Sequence, residues 1–234
     1  MKHMLLVRMP VSDDSSDLSP ARWVAEHRLE DVSDATTVRV RGGKTLVTDG
    51  PFTEFKEYIA GFDVIEARSL DDAAAFAAGH PVARFGAIEV REVWEDFDAL
   101  ANSGREFADP STSSSYDGVR YVLLMAAARD APPVGRDVSD LPPYEWIDEM
   151  ARRGVPRTAH RLRPAEEPGV SATVRVRAGQ TLVTHGPYAE VWEQIAGYEF
   201  LVAADLDDAI EIAALHPAAS LGAVEIRPLR PPVG

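Results

Sequence analysis

The chain contains an internal repeat, and this repeat limits its possible folds more than any other feature of the sequence. Residues 37–91 align without a gap with residues 173–227, and 31 of these 55 positions are identical. A fixed internal offset marks a repeated structural element, so we interpret the chain as two similar copies of roughly 100 residues each. The predicted organisation is copy one at residues 1–97, a linker at 98–118 and copy two at 119–234.

Each copy is predicted to follow the order β-α-β, hairpin, β-α-β. A short apolar strand opens both copies, at residues 3–9 and 121–125, and a helix follows it. Val38 and Val40 then alternate with arginines before Gly42-Gly43, which is typical of a hairpin. This order predicts an α+β fold made of ferredoxin-like units with an inserted hairpin. One face of each sheet would lack helices, so we expect the two sheets to pack against each other.

The two copies differ before the hairpin. The offset between their first strands is 118, but it is 136 in the later segments, so copy one lacks 18 residues. In copy two these residues surround 154–164, where a further strand is predicted. Copy one is therefore predicted to be degenerate near its N-terminal side and to lack a strand or borrow one.

The composition is typical of a globular protein and argues against several functional classes. A formal net charge of −14 disfavours nucleic acid as a direct partner, because the phosphate backbone demands a basic surface. No apolar run approaches the roughly 18 residues that cross a bilayer. Arg8 and Pro10 interrupt the first apolar segment before it could form a signal peptide. We expect a cytoplasmic protein without a membrane partner.

The sequence gives no support for metal or nucleotide chemistry. It contains no cysteine, which removes disulfides and thiolate ligands. It has no His-x-His or His-Glu-x-x-His spacing for zinc. It also has no glycine-rich phosphate loop and no Gly-x-Ser-x-Gly elbow. We predict neither a metal nor a cofactor.

Related turns follow the hairpin in the two copies, Asp49-Gly50-Pro51-Phe52 and His185-Gly186-Pro187-Tyr188. Asp49 and His185 are candidate catalytic residues, because a carboxylate and an imidazole in one site can divide acid and base roles. The structural alternative is that these side chains only cap their turns. The candidate substrate-binding residues are the rest of both turns and a glutamate after each, namely Gly50, Pro51, Phe52, Glu54, Gly186, Pro187, Tyr188 and Glu190.

Two further histidines are candidate catalytic residues. His80 and His216 precede a proline at the predicted C-terminal end of a helix. The helix dipole would stabilise a protonated imidazole there by a few tenths to about 1 kcal/mol. Alternatively, both rings point into a cleft, where nearby glutamates accept their protons. The hairpin arginines, such as Arg39 and Arg175, are interpreted as a solvated strand face rather than an anion site.

The Asp49-Gly50-Pro51-Phe52 motif and its surroundings resemble the YCII-related family, and more narrowly its DGPF branch. The matching features are Thr-Val-Arg-Val-Arg, Thr-Leu-Val-Thr, Glu54 with Glu57, Gly61-Phe62, Leu70-Asp71-Asp72, His80-Pro81 and Glu89-Val90-Arg91. The resemblance implies a dimeric α/β-barrel arrangement, which two separate chains usually form and which one chain would form here. It also implies a monomer with an internal pseudo-dimer, with further self-association left open.

The resemblance says less about activity. Many DGPF proteins have no assigned reaction, and some are encoded near, or fused to, extracytoplasmic-function sigma factors. Related YCII-like proteins are proposed to use a His–Asp pair in a cleft. We therefore expect a protein that binds a small molecule in a cleft, with general acid–base chemistry as an extension, and whether it is an enzyme stays open. The alternative is a non-catalytic interaction or regulatory module beside a sigma-factor-type transcription regulator.

Overall fold

The computed structural model describes residues 1–10, 27–52, 57–95, 117–128, 145–186, 188 and 193–230. The strands in these ranges are β1 (Lys2–Pro10), β2 (His27–Arg28), β3 (Thr36–Arg41), β4 (Lys44–Asp49), β5 (Glu57–Glu66), β6 (Ala87–Glu92), β7 (Val119–Ala128), β8 (Arg157–Arg161), β9 (Ser171–Arg177), β10 (Gln180–His185), β11 (Glu193–Ala203) and β12 (Ala223–Pro228). The α-helices are α1 (Leu70–Ala78), α2 (Glu145–Arg153), α3 (Leu206–Leu215) and α4 (Pro217–Leu221). Short 3-10 helices occupy Val32–Asp34 and Pro81–Arg84.

The chain divides into two compact units, and each unit contains segments from both sequence copies. The first unit comprises Met1–Val32, Thr53–Trp94 and Leu162–Val191, and the second comprises Ser33–Phe52, Glu95–Arg161 and Trp192–Gly234. Each unit is built on a six-stranded sheet, with the order β10-β9-β6-β1-β5-β2 in the first and β4-β3-β12-β7-β11-β8 in the second. The compact units cut across the two copies, whose boundaries at 1–97 and 119–234 stay a prediction.

The two hairpins are exchanged between the copies. Strands β9 and β10 come from copy two but complete the first unit, where Val174 pairs with Ile88 of β6. Strands β3 and β4 come from copy one but complete the second unit, where Val38 pairs with Val224 of β12. All four side chains are fully buried, so each hairpin adds to the apolar core of the unit that it joins. Copy one was expected to borrow at most a strand, and instead each unit takes a whole hairpin from the other copy.

The strand that copy one was expected to lack is present but short. Strand β2 contains 2 residues and pairs with β5. Its counterpart β8 contains 5 residues and pairs with β11. The expectation of a lost strand is therefore wrong, because the shorter connection in copy one still provides two residues for the ladder.

Four strands from a single copy have the same order in both units, β6-β1-β5-β2 and β12-β7-β11-β8. With α2 and α3 between its strands, copy two shows the β-α-β-β-α-β order of a ferredoxin-like unit. The first helix predicted for copy one and most of the predicted linker lie outside the described residues. An α+β fold with two antiparallel sheets is thus confirmed. Among the described strands no closed barrel is found, since each sheet ends in two edge strands.

Helices α1 and α3 begin at the predicted caps. The Ser69 hydroxyl accepts the Asp72 N–H at 3.1 Å, and the Asp205 carboxylate accepts the Asp208 N–H at 3.0 Å. The acidic first turns also suit the positive end of the helix dipole. None of the helices described here has the length and apolar character needed to cross a membrane.

Candidate functional site

The two DGPF-like turns follow edge strands of the two sheets, and their glycines have the same φ angle. Gly50 and Gly186 both have φ of 98°, a conformation that side chains other than glycine rarely adopt. Their N–H groups donate to the carbonyl groups of Ala35 and Ser171 at 2.8 and 3.0 Å, respectively. This geometry explains why both turns carry glycine at this position.

Asp49 and His185, the first two candidate catalytic residues, are exposed. They end β4 and β10, and every residue of these two edge strands is exposed. Asp49 belongs to the second unit and His185 to the first, so neither unit alone brings the two side chains together. A shared acid–base role for them stays a prediction.

The last residues of the turns, Phe52 and Tyr188, make different contacts. The Phe52 N–H donates to Glu225 Oε2 at 3.1 Å, and its carbonyl accepts from Arg39 Nη2 at 3.2 Å. Tyr188 is buried, and its hydroxyl accepts from Arg175 Nη2 at 2.9 Å. Arg39 and Arg175 are half-buried, so the strand face that was interpreted as solvated is partly covered. Pro51 is half-buried, and the candidate residues Glu54, Pro187 and Glu190 lie outside the described residues.

Arg8, Glu89 and Arg91 form a buried ion-pair cluster in the first unit. Arg8 Nε and Nη2 donate to Glu89 Oε2 at 2.7 and 2.5 Å, and Arg91 Nη1 donates to Glu89 Oε1 at 3.4 Å. Burial alone would raise the pKa of Glu89, but the charges and hydrogen bonds of Arg8 and Arg91 bring this pKa below its ordinary value. Glu89 is therefore a carboxylate at neutral pH and orients both guanidinium groups.

Two residues of copy two, Tyr188 and Thr173, lie beside this cluster. The guanidinium carbons of Arg8 and Arg175 lie 4.5 and 5.2 Å from the centre of the Tyr188 ring, within the range of cation–π attraction. Thr173 lies directly opposite Glu89 in the ladder of β6 and β9. Its hydroxyl is buried and has no hydrogen-bond partner among the described residues. The hairpin exchange therefore places residues of both copies in one site.

The second unit keeps part of this arrangement. Glu225 Oε1 accepts from Arg227 Nη1 at 3.2 Å, as the repeat of Glu-x-Arg predicts. Arg8 has no counterpart of the same type. In the first unit Arg8 pairs with Ala87, and at the equivalent position of the second unit Ala126 pairs with Ala223. The second unit thus has an alanine, and no guanidinium group, at the position equivalent to Arg8.

His80 and His216 each begin a short helix. His80 Nδ1 accepts the Val82 N–H at 3.2 Å, and His216 Nδ1 accepts the Ala218 N–H at 3.0 Å. Because Nδ1 is an acceptor, the proton of the neutral ring lies on Nε2. Burial lowers the pKa of both histidines. The interpretation of a protonated ring stabilised by the dipole of the preceding helix is therefore wrong, and both rings are neutral helix caps.

Each of these histidines turns Nε2 toward a carboxylate. His80 Nε2 lies 3.9 Å from Asp63 Oδ2 in the first unit, and His216 Nε2 lies 3.7 Å from Glu199 Oε2 in the second. Asp63 and Glu199 are equivalent positions of the repeat, so the histidine–carboxylate pair occurs in both units. Both separations exceed the length of a direct hydrogen bond.

We use the name His216 site for His216, Glu199, Arg157 and Trp146. Glu199 is fully buried, and its Oε1 accepts from Arg157 Nε. Its Oε2 has no hydrogen-bond partner in the described part of the chain. Trp146 of α2 meets the His216 ring at an interplanar angle of 75°, with ring centres 4.8 Å apart. The buried indole N–H of Trp146 also has no such partner among the described residues.

Sequence reasoning found the histidines but missed the charged residues around them. Glu89 and Glu199 each interrupt an apolar strand, and Arg8 does the same in β1. This interruption was the available signal, since a charged side chain is rarely buried without a partner. Within the described ranges, no group of three or more acidic or histidine side chains could hold a metal ion.

Comparison with known proteins agrees with the repeat. A model of the YCII-related domain matches the chain twice, at residues 2–97 and 122–232. A curated relative, an uncharacterized protein of Rhizobium meliloti (strain 1021), is 48% identical over 50 residues. This match covers 21% of the present chain and 40% of the relative, so the chain spans less than half the length of that relative. The two domain matches together span most of the sequence, and the chain therefore belongs to the YCII-related family, with two copies of its domain.

Proposed function

We propose that this protein binds a hydroxyl-bearing small molecule at the His216 site and removes a proton from it. The observation that supports this proposal is the pair of buried, unsatisfied polar atoms beside the His216 ring, Glu199 Oε2 and Trp146 Nε1, neither of which has a hydrogen-bond partner among the described residues. An unsatisfied buried polar group costs about 1 to 3 kcal/mol. A ligand that bonds to both atoms would recover that cost.

The hydrogen-bonding capacities of the site define the ligand group. A carboxylate only accepts hydrogen bonds, whereas an indole N–H and an imidazole Nε2–H only donate them. A hydroxyl group does both, since it donates one hydrogen bond and accepts two. A ligand alcohol would donate to Glu199 Oε2 and accept from His216 Nε2 or Trp146 Nε1.

Glu199 is the proton acceptor in the proposed chemistry. Arg157 holds Glu199 Oε1, which leaves Oε2 to take the proton from the ligand hydroxyl. His216 stays neutral because burial lowers its pKa. Its Nε2–H would then stabilise the ligand oxygen as that oxygen gains negative charge.

The experiment is a thermal-shift screen of soluble metabolites in two groups, polyols and hydroxy acids in one and matched compounds without a hydroxyl in the other. We expect members of the first group to raise the unfolding temperature of the wild type. Trp146→Phe and Glu199→Gln should reduce that shift, and the exposed control His185→Asn should leave it unchanged. Shifts that are equal for both compound groups, or equal in all variants, would refute the proposal.

A second candidate function, the interaction module, is favoured by the exposed hairpins. Leu46 and Val47 on β4, and Leu182 and Val183 on β10, are between 41% and 50% exposed. Both strands lie at sheet edges, where a partner can add a strand through its backbone. If a sigma-factor-type regulator docks in this way, the Leu46→Lys/Leu182→Lys variant should lose binding to the purified regulator. Undiminished binding would exclude this surface.

We also propose that the chain forms a barrel-like pseudo-dimer of the DGPF type. Met4, Leu6 and Phe62 are fully buried, although strand alternation places them on the sheet face opposite Leu5 and the α1 side of the core. The Asp49-Gly50-Pro51-Phe52 motif supports the DGPF assignment. This arrangement predicts a monomer in light scattering.

A further inference from the structure

We propose that Arg41 is a positioning residue for the His216 site, because it holds the end of helix α4 that lies away from His216. This role rests on the function proposed for that site and extends it to copy one, which supplies Arg41 at the end of strand β3. Arg41 and α4 both belong to the second unit. The exchanged hairpin then serves the site as well as the sheet.

The guanidinium group of Arg41 binds three carbonyl groups at the C-terminal end of α4. Its Nη1 donates to the carbonyl oxygens of Ala219 and Ser220 at 2.9 and 3.2 Å, and its Nη2 donates to that of Gly222 at 2.8 Å. The last carbonyl groups of a helix have no partner within the helix, and an arginine side chain can satisfy them. One side chain therefore joins the last turn of α4 to strand β3.

Helix α4 needs contacts at both ends because it is short. It contains 5 residues, and a helix of this length is unstable by itself in water, since fixing its first turn yields few hydrogen bonds. At its start, His216 Nδ1 accepts the Ala218 N–H, and at its end Arg41 binds the carbonyl groups. A rise of about 1.5 Å per residue places the two ends about 7.5 Å apart, so movement at one end should reach the other.

The hydrogen bonds to Arg41 set the rotation of α4, which apolar contacts alone leave less defined. Ala219 is fully buried in one apolar cluster with Trp146 of the His216 site. Such contacts are non-directional, whereas hydrogen bonds have a preferred angle. The rotation of α4 in turn decides where His216 Nε2 points, and this atom lies 3.7 Å from Glu199 Oε2.

Arg41 acts through the helix rather than through its charge. Burial is the largest cause of the lowered pKa of His216, Arg157 lowers it further, and Glu199 opposes both. Arg41 is exposed, and water and salt screen the field of an exposed charge. Its substitution should therefore affect the imidazole ring only by changing where that ring lies.

The first unit repeats this arrangement with the copies reversed. Arg177 of copy two is the equivalent residue. Its Nη1 donates to the carbonyl oxygen of Ala83 at 2.8 Å, and its Nη2 donates to that of Gly86 at 2.9 Å. These carbonyl groups lie in or just after the short helix Pro81–Arg84, which His80 begins. The chain thus contains a matched control for the test.

The test is nuclear magnetic resonance of the full chain with isotope-labelled histidine. The chain contains six histidines, and spectra of His216→Asn and His80→Asn assign the two rings of interest. The shifts of the ring nitrogens show which of them carries the proton. Arg41→Ala should weaken the bond to His216 Nδ1, move the His216 signals toward those of mixed tautomers and raise the ring pKa toward its ordinary value as burial decreases. The His80 signals should stay unchanged.

The equivalent arginine of the first unit provides the control. Arg177→Ala should give the reverse pattern, with changed His80 signals and unchanged His216 signals. Arg41→Lys keeps the charge but has one nitrogen instead of a guanidinium fork, so it should change the His216 signals less than Arg41→Ala, and it replaces that variant if the latter does not fold. His216 signals that match the wild type in both Arg41 variants would overturn the proposal, as would equal changes of both histidines in each alanine variant.

The experiment separates the role of Arg41 from the proposed function, because it uses no ligand. If the compounds of the thermal-shift screen do not bind, the His216 signals still decide whether Arg41 positions the ring. If binding depends on Trp146 and Glu199 but the His216 signals do not respond to the Arg41 variants, only the positioning role is wrong.

Discussion

The imidazole Nδ1 of His216 accepts the backbone N–H of Ala218 at 3.0 Å, and this bond requires an unprotonated Nδ1. Burial keeps the pKa of His216, and that of His80, below the ordinary value of 6.5. Below pH 6.5 the unfolded chain therefore binds more protons than the folded one, so the free energy of unfolding should decrease as the pH is lowered. Above pH 6.5 both rings are neutral in the folded and the unfolded chain, so they no longer lower the free energy of unfolding. Urea unfolding at a series of pH values measures it.

The control for this pH dependence is the exposed ring of His185. His185→Asn should keep the wild-type profile, whereas His216→Asn should flatten it. The lowered pKa of Glu89 acts in a separate range, because its contribution is lost only below the ordinary value of 4.5. A His216→Asn profile that matches the wild type between pH 4.5 and 6.5 would contradict our assignment.

The capping role of His216 can be separated from its role at the carboxylate. His216→Ala removes the acceptor for the Ala218 N–H, and loss of a helix cap should cost about 1 kcal/mol. His216→Asn should recover most of this stability, because its side-chain oxygen can accept the same N–H. Chemical denaturation compares the two variants. Equal losses in both would show that the cap contributes nothing.

Arg8→Ala should be strongly destabilising. It leaves the buried carboxylate of Glu89 with fewer hydrogen bonds, and breaking a buried ion pair in this way costs about 3 to 5 kcal/mol. The control is Arg68→Ala, whose ion pair with Asp72 involves a side chain that is 91% exposed. That variant should lose less than about 1 kcal/mol. Similar losses for the two variants in urea unfolding would argue against a tight buried pair.

The exchange of hairpins predicts which cysteine pairs can form a disulfide. The chain contains no cysteine, so a double variant can form only the intended bridge. Ile88→Cys/Val174→Cys should oxidise readily, because these residues are cross-strand partners. Ile88→Cys/Val38→Cys tests the unexchanged alternative and should stay reduced. Mass spectrometry after mild oxidation measures both, and the opposite result would place each hairpin in its own copy.

Helix caps and hairpin turns could be predicted from the sequence because each depends on a few neighbouring residues. Ser69 and Asp205 stand before acidic first turns, and both are caps. The hairpin turns contain glycines with positive φ, as expected. The exchange was not predictable in this way. Strands β3 and β9 share Thr-Val-Arg-Val-Arg, so either hairpin suits either sheet edge, and the local sequence does not distinguish the two edges.

The candidate site was predicted only in part for a related reason. His80 and His216 were singled out because a proline follows each, and the proline was interpreted as the end of a helix. Proline is also favoured in the first turn of a helix, and here it begins a new one. The partners Asp63 and Glu199 lie 17 residues before their histidines, and no local pattern connects them. Tertiary packing alone brings them together.

The exchanged hairpins also bear on how a gene of this kind could change. Recombination between the two repeats would delete one period and leave a single-copy chain with one hairpin. In that chain the hairpin could no longer complete a partner sheet, unless two such chains traded hairpins as separate molecules. Tyr188 of one repeat also lies against Arg8 of the other. Selection on a mutation in either repeat therefore depends partly on its effect on the other repeat, so we expect the two copies to evolve together.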